Sequence, residues 1–266
     1  MRRFVTLIAL AGAAALGGAA LVAQAPPAGA QAPPAGAPGQ RPGGGGGGPR
    51  VAPLALDDRT GYTPIFDGTS LAGWEGDTAY WRAEGGSIVG ETTEAHPLKA
   101  NTFLIYTKDQ PGDFELKVDF KINSTNTGVQ YRSERAPDIG PYVLKGYQAD
   151  IDFANQWTGQ LYEERGRGFL ALPGQATETT GTGPRIFGTA TPAEAVKAAI
   201  NVNGWNTLQI IARKDLVVHA INGKVSAVFL DGDTAKRPTK GFIGLQLHVG
   251  PPMRTEYRNF AIRMLD

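Results

Sequence analysis

The sequence contains no cysteine among its 266 residues. Disulfides and thiolate metal sites are therefore excluded, and the protein must be stabilised by the packing of its core. Its three histidines, His96, His219 and His248, do not have the spacing of a zinc site. The sequence also lacks a Gly-x-Ser-x-Gly elbow, a phosphate-binding loop and a dinucleotide-binding fingerprint in a strand-helix setting. These absences argue against several common hydrolase, nucleotide-binding and redox classes.

An excess of charge of one sign is also lacking. Lys and Arg total 26 and Asp and Glu total 25, which gives a net charge of +1 with both signs interspersed. Binding to nucleic acid or to an acidic membrane surface usually requires basic residues clustered on one face. The sequence therefore predicts neither nucleic acid nor a membrane surface as a partner.

The N-terminal region has the pattern of a secretory signal peptide. Two arginines precede the uncharged apolar run 5–22, and small-residue cleavage patterns end at Ala25 and Ala30. Cleavage after Ala30 is preferred because the alternative would leave Pro26 after the scissile bond, where proteases act poorly. A retained anchor is the alternative, but the run is rich in Ala and Gly and only marginally long. We expect a signal peptide over 1–30, no stable membrane insertion after its cleavage, and a periplasmic or secreted location.

Residues 31–55 are dominated by Pro, Gly, Ala and Gln. A segment with so few large apolar side chains cannot offset the entropy of ordering, so this composition predicts a disordered linker. The remaining residues, 56–266, are numerous enough for one domain with a full core.

Period-two alternation dominates this domain. Residues 114–122 alternate apolar and charged side chains, which is typical of an antiparallel strand with one face on a core. Asn222-Gly223 between two further strands predicts a hairpin, and 242–249 and 257–265 add two more. The pattern predicts an all-β fold, a two-sheet antiparallel jelly-roll sandwich. A capping box at Thr191, with Pro at the first helical position, predicts one short helix on an insertion between Leu172 and Trp205.

Polar side chains share one phase on three of the predicted strands. Planar amides, carboxylates, an arginine and an imidazole supply paired donors and acceptors that suit sugar hydroxyls. The alternative is an ordinary solvated strand face. The residues on this phase are Gln130 and Arg132, then Gln148, Asp150 and Asp152, and finally Gln246 and His248.

The stretch 157–168 combines aromatic, acidic and basic side chains with glycines. It is either a strand and loop bordering a site, with Glu163 or Glu164 as a general acid, or a charged turn whose ions pair among themselves. In the first case Tyr162 and Arg167 would contact substrate. The nearby Asp150 and Asp152 could also hold calcium through oxygen ligands.

A series of short phrases resembles the 3-keto-disaccharide hydrolase domain family (DUF1080). Each phrase is weak alone, but they follow in order over almost all of residues 62–265. Many members of the family carry Glu, Gln and Asp where this chain has Gln148, Asp150 and Asp152. The chain resembles a subgroup in this respect, so roles transfer poorly at these positions. The matching phrases are 64–74, 81–89, 113–116, 126–132, 146–151, 158–162, 205–207, 222–223, 244–248 and 257–260.

The resemblance implies a concanavalin A-like fold and cleavage of sugars already oxidised at C3. The ketone acidifies the proton at C2, so a base can form an enolate that expels the glycosidic oxygen, after which water adds. We expect Asp150 or His248 as the base, Glu164 as the acid and Arg132 as the partner of the C3 oxygen. A bound divalent metal, calcium or similar, could replace Arg132 as the electrophile.

The remaining candidates would bind the carbohydrate substrate: Gln130, Gln148, Asp152, Tyr162, Arg167 and Gln246. Two other functions stay open at this point. One is a non-catalytic carbohydrate-binding module, since lectins share the implied architecture. The other is direct hydrolysis of ordinary glycosides by a pair of carboxylates.

Overall fold

The computed structural model describes residues 56–266. The predicted signal peptide and linker, 1–30 and 31–55, lie outside the described residues and stay predictions. In chain order the first strands are β1 (Thr63–Pro64), β2 (Trp74–Glu75), β3 (Trp81–Glu84), β4 (Ser87–Glu91), β5 (Thr102–Tyr106), β6 (Phe114–Ile122), β7 (Asn126–Arg135), β8 (Leu144–Asp152), β9 (Leu161–Glu164) and β10 (Gly168–Ala171). They are followed by β11 (Gln175–Thr179), β12 (Arg185–Thr189), the helix α1 (Ala193–Ala198), β13 (Asn206–Arg213), β14 (Leu216–Ile221), β15 (Lys224–Asp231), β16 (Phe242–Leu247) and β17 (Arg254–Met264).

These strands form two sheets. The ten-stranded sheet has the order β12-β11-β15-β14-β13-β6-β17-β4-β3, with β1 also paired to β17. The seven-stranded sheet has the order β10-β9-β8-β7-β16-β5-β2. Neighbouring strands are antiparallel in both sheets, apart from the parallel pair of β11 and β15. The predicted all-β, two-sheet jelly-roll sandwich with one short helix in an insertion is confirmed.

The core lies between the two sheets and follows the alternation seen in the sequence. Leu116 and Val118 on β6 and Leu208 on β13 are buried from one sheet, and Ala149 and Leu245 are buried from the other. Side chains of the opposite phase on the seven-stranded sheet therefore project away from the core. That outward face carries the polar residues discussed below.

The hairpin joining β14 to β15 forms as predicted. Asn222 and Gly223 both have positive φ angles, 47° and 77°, as a type I′ turn requires. The turn leaves the register of Ile221 opposite Lys224 intact.

The insertion differs from its prediction in two respects. The residue that caps α1 is Pro192 rather than Thr191, and no side-chain hydrogen bond caps the helix, so the predicted capping box is wrong. The backbone around Thr191 is instead held beside Gly174, whose carbonyl accepts the N–H of Ala190 at 2.8 Å. The insertion also contributes β11 and β12, which the sequence did not predict. None of the helices within residues 56–266 is long and apolar enough to cross a membrane.

Candidate functional site

A cavity of about 480 Å³ lies on the outward face of the seven-stranded sheet. The register aligns its polar residues, because Gln148 on β8 pairs with Tyr162 on β9 and Gly128 on β7 pairs with Asp150. Most of the predicted site residues line this cavity. Its walls consist of Asn101, Asn126, Gln148, Asp150, Asp152, Trp157, Gln160, Tyr162, Glu164, Phe169, Gln246 and His248.

Asp150 is the most perturbed carboxylate of the cavity. Its residue is only 6 % exposed, and burial raises its pKa from 3.8 to about 7. Two amides oppose the shift: Gln148 Nε2 donates to Oδ1 at 2.6 Å and Gln160 Nε2 donates to Oδ2 at 2.5 Å. The nearby charges of Glu164 and Asp152 raise the pKa further. Asp150 therefore changes charge near neutral pH, as a group that transfers protons should.

Glu164 and His248 line the same cavity. Burial raises the pKa of Glu164, while the charge of Arg165, a hydrogen bond from Asn101 and the charge of His248 act in the opposite direction. His248 Nδ1 lies 2.6 Å from the carbonyl oxygen of Val249. A carbonyl only accepts, so Nδ1 carries a proton and Nε2 of the neutral ring remains an acceptor.

Several buried amide atoms around Asp150 have no hydrogen-bond partner within residues 56–266. They are Oε1 of Gln148, Oε1 of Gln160 and Nε2 of Gln246, and all three residues are at most 2 % exposed. Buried polar groups are nearly always hydrogen-bonded in native proteins. All three residues line the cavity, so a polar molecule bound there could supply the missing partners.

An aromatic ridge borders the cavity on one side. We use this name for Trp157, Tyr162 and Phe169. The Trp157 and Phe169 ring centroids are 5.9 Å apart, and the Tyr162 and Phe169 centroids are 5.2 Å apart. Trp157 and Phe169 are 40 % and 55 % exposed. Exposed aromatic rings beside convergent polar groups suit the apolar faces and hydroxyls of a sugar.

Arg132 does not reach the cavity, which corrects its predicted placement. The register shifts between Tyr131 and Glu134, and Arg132 has a positive φ of 46°. This β-bulge breaks the alternation on which the prediction depended. The guanidinium donates instead to the carbonyls of Gly112 and Lys214, both at 2.8 Å, and pairs with Asp113 at 2.9 Å.

Arg167 and Glu163 also lie outside the cavity. Arg167 pairs with Asp231 and with Glu163, at 2.6 Å in each case. Asp231 is fully buried and also accepts the hydroxyl of Tyr147, a core residue. Of the two acids left open by the sequence, Glu164 therefore lines the cavity and Glu163 belongs to this ion-pair cluster.

Gln130 lies beside the cavity without lining it. It pairs in register with Gln148 and is fully buried. Neither of its amide atoms has a hydrogen-bond partner in the described part of the chain. Gln130 is not among the residues that line the cavity.

The predicted calcium ligands do not fit a cation. Asp152 Oδ1 and Oδ2 accept the backbone N–H groups of Ala154 and Gln156 at 3.3 and 2.8 Å, and both oxygens of Asp150 accept amide protons. A cation would have to displace these donors. Residues 56–266 contain no group of three or more His, Asp or Glu side chains suited to a metal.

Five residues of the cavity wall were not among the predicted site residues: Asn101, Asn126, Trp157, Gln160 and Phe169. The signal for Gln160 was present, because Gln160, Tyr162 and Glu164 alternate and so share one face of a strand. Asn101 precedes β5 and carries no such pattern. It becomes part of the site because its side chain accepts the N–H of Val249 at 2.9 Å, beside His248.

Solved structures with the same fold come from Parabacteroides distasonis and Bacillus subtilis. Two P. distasonis proteins, each described provisionally as a glycosyl hydrolase, are 19 % and 20 % identical. They cover 77 % and 81 % of this chain and 99 % of their own, with a TM-score of 0.52 for both. A B. subtilis protein of galectin-like fold is 15 % identical over 73 % of this chain and 90 % of its own, with a TM-score of 0.50.

These similarities concern the fold, since all three identities are low. No curated protein matches the chain. The model of the 3-keto-alpha-glucoside-1,2-lyase-like domain matches residues 61–263, which include the whole cavity. The protein described here therefore belongs to the family of 3-keto-alpha-glucoside-1,2-lyase-like domains.

Proposed function

We propose that this domain cleaves the glycosidic bond of 3-keto-glycosides by elimination followed by hydration. The observation that carries the proposal is Asp150, a buried carboxylate with a pKa of about 7 in a cavity that also holds Glu164 and His248. A C2 proton beside a ketone is acidic enough for a base of this kind, whereas an ordinary glycoside offers no such proton. Family membership supports the same chemistry.

In the first half of the reaction, Asp150 takes the C2 proton and the electron pair moves into the enolate at the C3 oxygen. The enolate then re-forms the ketone and expels the glycosidic oxygen from C1. Glu164 protonates that oxygen. In the second half, water adds its oxygen to C1 of the enone, and its proton passes through Nε2 of His248 to restore the acid form of Glu164. Asp150, whose carboxyl proton exchanges with solvent, gives a proton to C2 and becomes a carboxylate again. The products are the 3-keto-sugar and the released alcohol.

The enolate oxygen needs a donor now that Arg132 is placed elsewhere. The structure offers Gln246, whose Nε2 has no hydrogen-bond partner within the described residues and whose Oε1 lies 3.3 Å from Gln148 Nε2. A buried amide donor held by its neighbour stabilises a developing negative charge with little reorganisation. We assign this role to Gln246 in place of the arginine.

The test follows matched glucosides and 3-keto-glucosides in heavy water with the purified protein. We expect cleavage of the 3-keto-glucoside alone, with deuterium at C2 of the sugar product because hydration delivers a solvent proton there. Asp150→Asn should lower kcat/KM by about 100-fold or more. Deuterium also enters C2 by spontaneous enolisation. The amount incorporated when the same substrate is incubated with Asp150→Asn gives this background.

Asp138→Asn is the matched control, because Asp138 is exposed and lies outside the cavity. It should leave kcat/KM unchanged. Cleavage of the ordinary glucoside without C2 deuterium would instead indicate direct hydrolysis. Full activity of Asp150→Asn would refute the role assigned to the carboxylate.

The competing function is non-catalytic carbohydrate binding, which the exposed aromatic ridge favours. Saturable binding of glucosides with no turnover of either substrate would support it. We also propose that the domain acts in the periplasm or outside the cell after removal of the signal peptide. The mass of the mature N-terminus recovered from the exported fraction tests this location, with cleavage expected after Ala30.

A further inference from the structure

A second cavity of about 370 Å³ adjoins the site just described. Trp157 and Phe169 of the aromatic ridge line both cavities, so the ridge is a border common to the two. Both rings are well exposed, which leaves their edges accessible from either side. The rest of its wall is formed by Leu170, Ala171, Leu172, Gln175, Thr177, Pro184 and Ile186.

The wall of this second cavity is mostly apolar, whereas the wall of the first is mostly polar. Only Gln175 and Thr177 bring polar side chains, and both are engaged by the backbone. Gln175 Oε1 accepts the N–H of Leu172 at 3.0 Å, and the Thr177 hydroxyl donates to the carbonyl of Leu170 at 2.7 Å. Carbon atoms make up most of the remaining surface. A sugar placed there would lose water and gain few hydrogen bonds in exchange, which is unfavourable.

The insertion between Leu172 and Trp205 builds the far wall. Its strand β12 forms the edge of the ten-stranded sheet, and the register pairs Ile186 with Thr177, so both project from the same face. Ile186 is 64 % exposed. The next residue, Phe187, has a similar exposure of 54 % but does not line the cavity.

We propose that the second cavity binds the leaving group of the substrate, and that this group is an apolar ring rather than a second sugar. The inference rests on the proposed function, since it takes the polar cavity as the place of the reacting sugar. A glycoside that spans both cavities would lay its glycosidic bond across the ridge. Its sugar would meet the amides and carboxylates, and its aglycone would meet the carbon-lined wall.

The experiment compares benzyl and methyl glucosides of the same anomeric configuration, whose released alcohols have similar acidity. Calorimetry measures the binding of the ordinary benzyl and methyl glucosides. Kinetic assays measure kcat/KM for the 3-keto forms of the same two compounds. We expect the benzyl compounds to be favoured by about tenfold in both measurements. Ile186→Ser should remove most of that preference and leave the methyl compounds within about twofold.

Phe187→Ser is the matched control, because it removes an exposed apolar side chain from the same strand. It should keep the benzyl preference. Equal binding of benzyl and methyl compounds, equal effects of the two variants, or a 3-keto-disaccharide preferred over the benzyl compound would each overturn the inference. A benzyl preference in binding that Ile186→Ser abolishes, with no 3-keto-glucoside cleaved, would support the apolar cavity and refute the proposed reaction instead.

Discussion

The pKa of Asp150 is set by opposing effects, of which burial is the strongest. Burial disfavours its charge, whereas the amides of Gln148 and Gln160 favour it, and burial is the larger effect. The carboxylate is consequently poised near pH 7 instead of near its ordinary value. A base at this pKa is both substantially ionised at neutral pH and strong enough to accept a carbon-bound proton.

Removing one amide donor should raise the pKa of Asp150 further. In Gln160→Leu, Oδ2 of the carboxylate loses its hydrogen bond, and hydrogen bonds to a charged acceptor contribute about 1.5–3 kcal/mol. The acidic limb of the kcat/KM profile should move upward by roughly one to two pH units. The profile with a 3-keto-glucoside measures this, and the exposed Gln110→Leu serves as control. An unmoved limb would mean that another group is the base.

The buried carboxylate should also make stability depend on pH. The pKa of Asp150 is about 7 in the folded state against 3.8 as the ordinary value, so the folded state binds the extra proton between these values. Its contribution is fully present below about pH 4 and is lost as pH rises through 7. Relative to Asp150→Asn, the wild type should lose roughly 4 kcal/mol over this interval. Urea unfolding at pH 4.5 and 8 would detect the change, and a constant difference would contradict it.

At the scale of elements, the bulge in β7 separates the polar face from a structural anchor. Residues before the bulge keep the alternation that points Gln130 outward with Gln148. Arg132 leaves that phase and bonds the carbonyls of Gly112 and Lys214, which flank strands of the other sheet. One strand therefore contributes both to the face that carries the site and to the contact between the sheets.

Arg132→Met tests that division of roles. The variant keeps an apolar stem but leaves the Gly112 and Lys214 carbonyls without their donor, so the unfolding free energy should fall by about 3 kcal/mol. Activity per folded molecule should stay within about threefold of wild type, a small change on the transition-state scale. Denaturant unfolding and kcat/KM on one preparation separate the two effects. A loss of activity without a loss of stability would mean that Arg132 takes part in the reaction.

At the scale of the whole molecule, His219 links the two sheets directly beneath the site. It is fully buried on β14, with Nε2 2.7 Å from the Tyr131 hydroxyl of β7. Nδ1 lies 3.2 Å from the carbonyl of Gln160. The carbonyl requires a proton on Nδ1, so neutral Nε2 accepts from the tyrosine. Gln160, whose side chain donates a hydrogen bond to Asp150, is thus held at its backbone carbonyl by a residue of the opposite sheet.

Burial of His219 should make the sandwich sensitive to acid. Desolvation lowers its pKa from 6.5 to about 4, despite the carbonyls of Gly159 and Gln160. The unfolded state binds the proton first, so stability should fall by about 3 kcal/mol between pH 6.5 and 4. Because Asp150 acts in the opposite direction over this range, the measurement belongs in the Asp150→Asn background. Adding His219→Gln to that background should flatten the dependence of the unfolding free energy on pH. If the slope persists, a group other than His219 is responsible for it.

Sequence alone determined the all-β class, the Asn222-Gly223 hairpin and the polar face on β8 and β16. These features depend on the two-residue period of a strand, which is a local property of the chain. The same rule was sufficient to select Gln148, Asp150 and Gln246, which do lie together at the cavity.

Tertiary structure decided which charged residues are available for chemistry. Arg167 is held by Asp231, 64 residues away in sequence, and Arg132 is turned aside by a bulge that no periodicity predicts. The pKa of Asp150 depends on burial by segments distant along the chain, and the apolar cavity depends on the parallel pairing of β11 with β15. Such contacts join residues that are distant in sequence. The alternation of a strand therefore predicts the face of the sheet from which a side chain projects, but not the residue that it contacts.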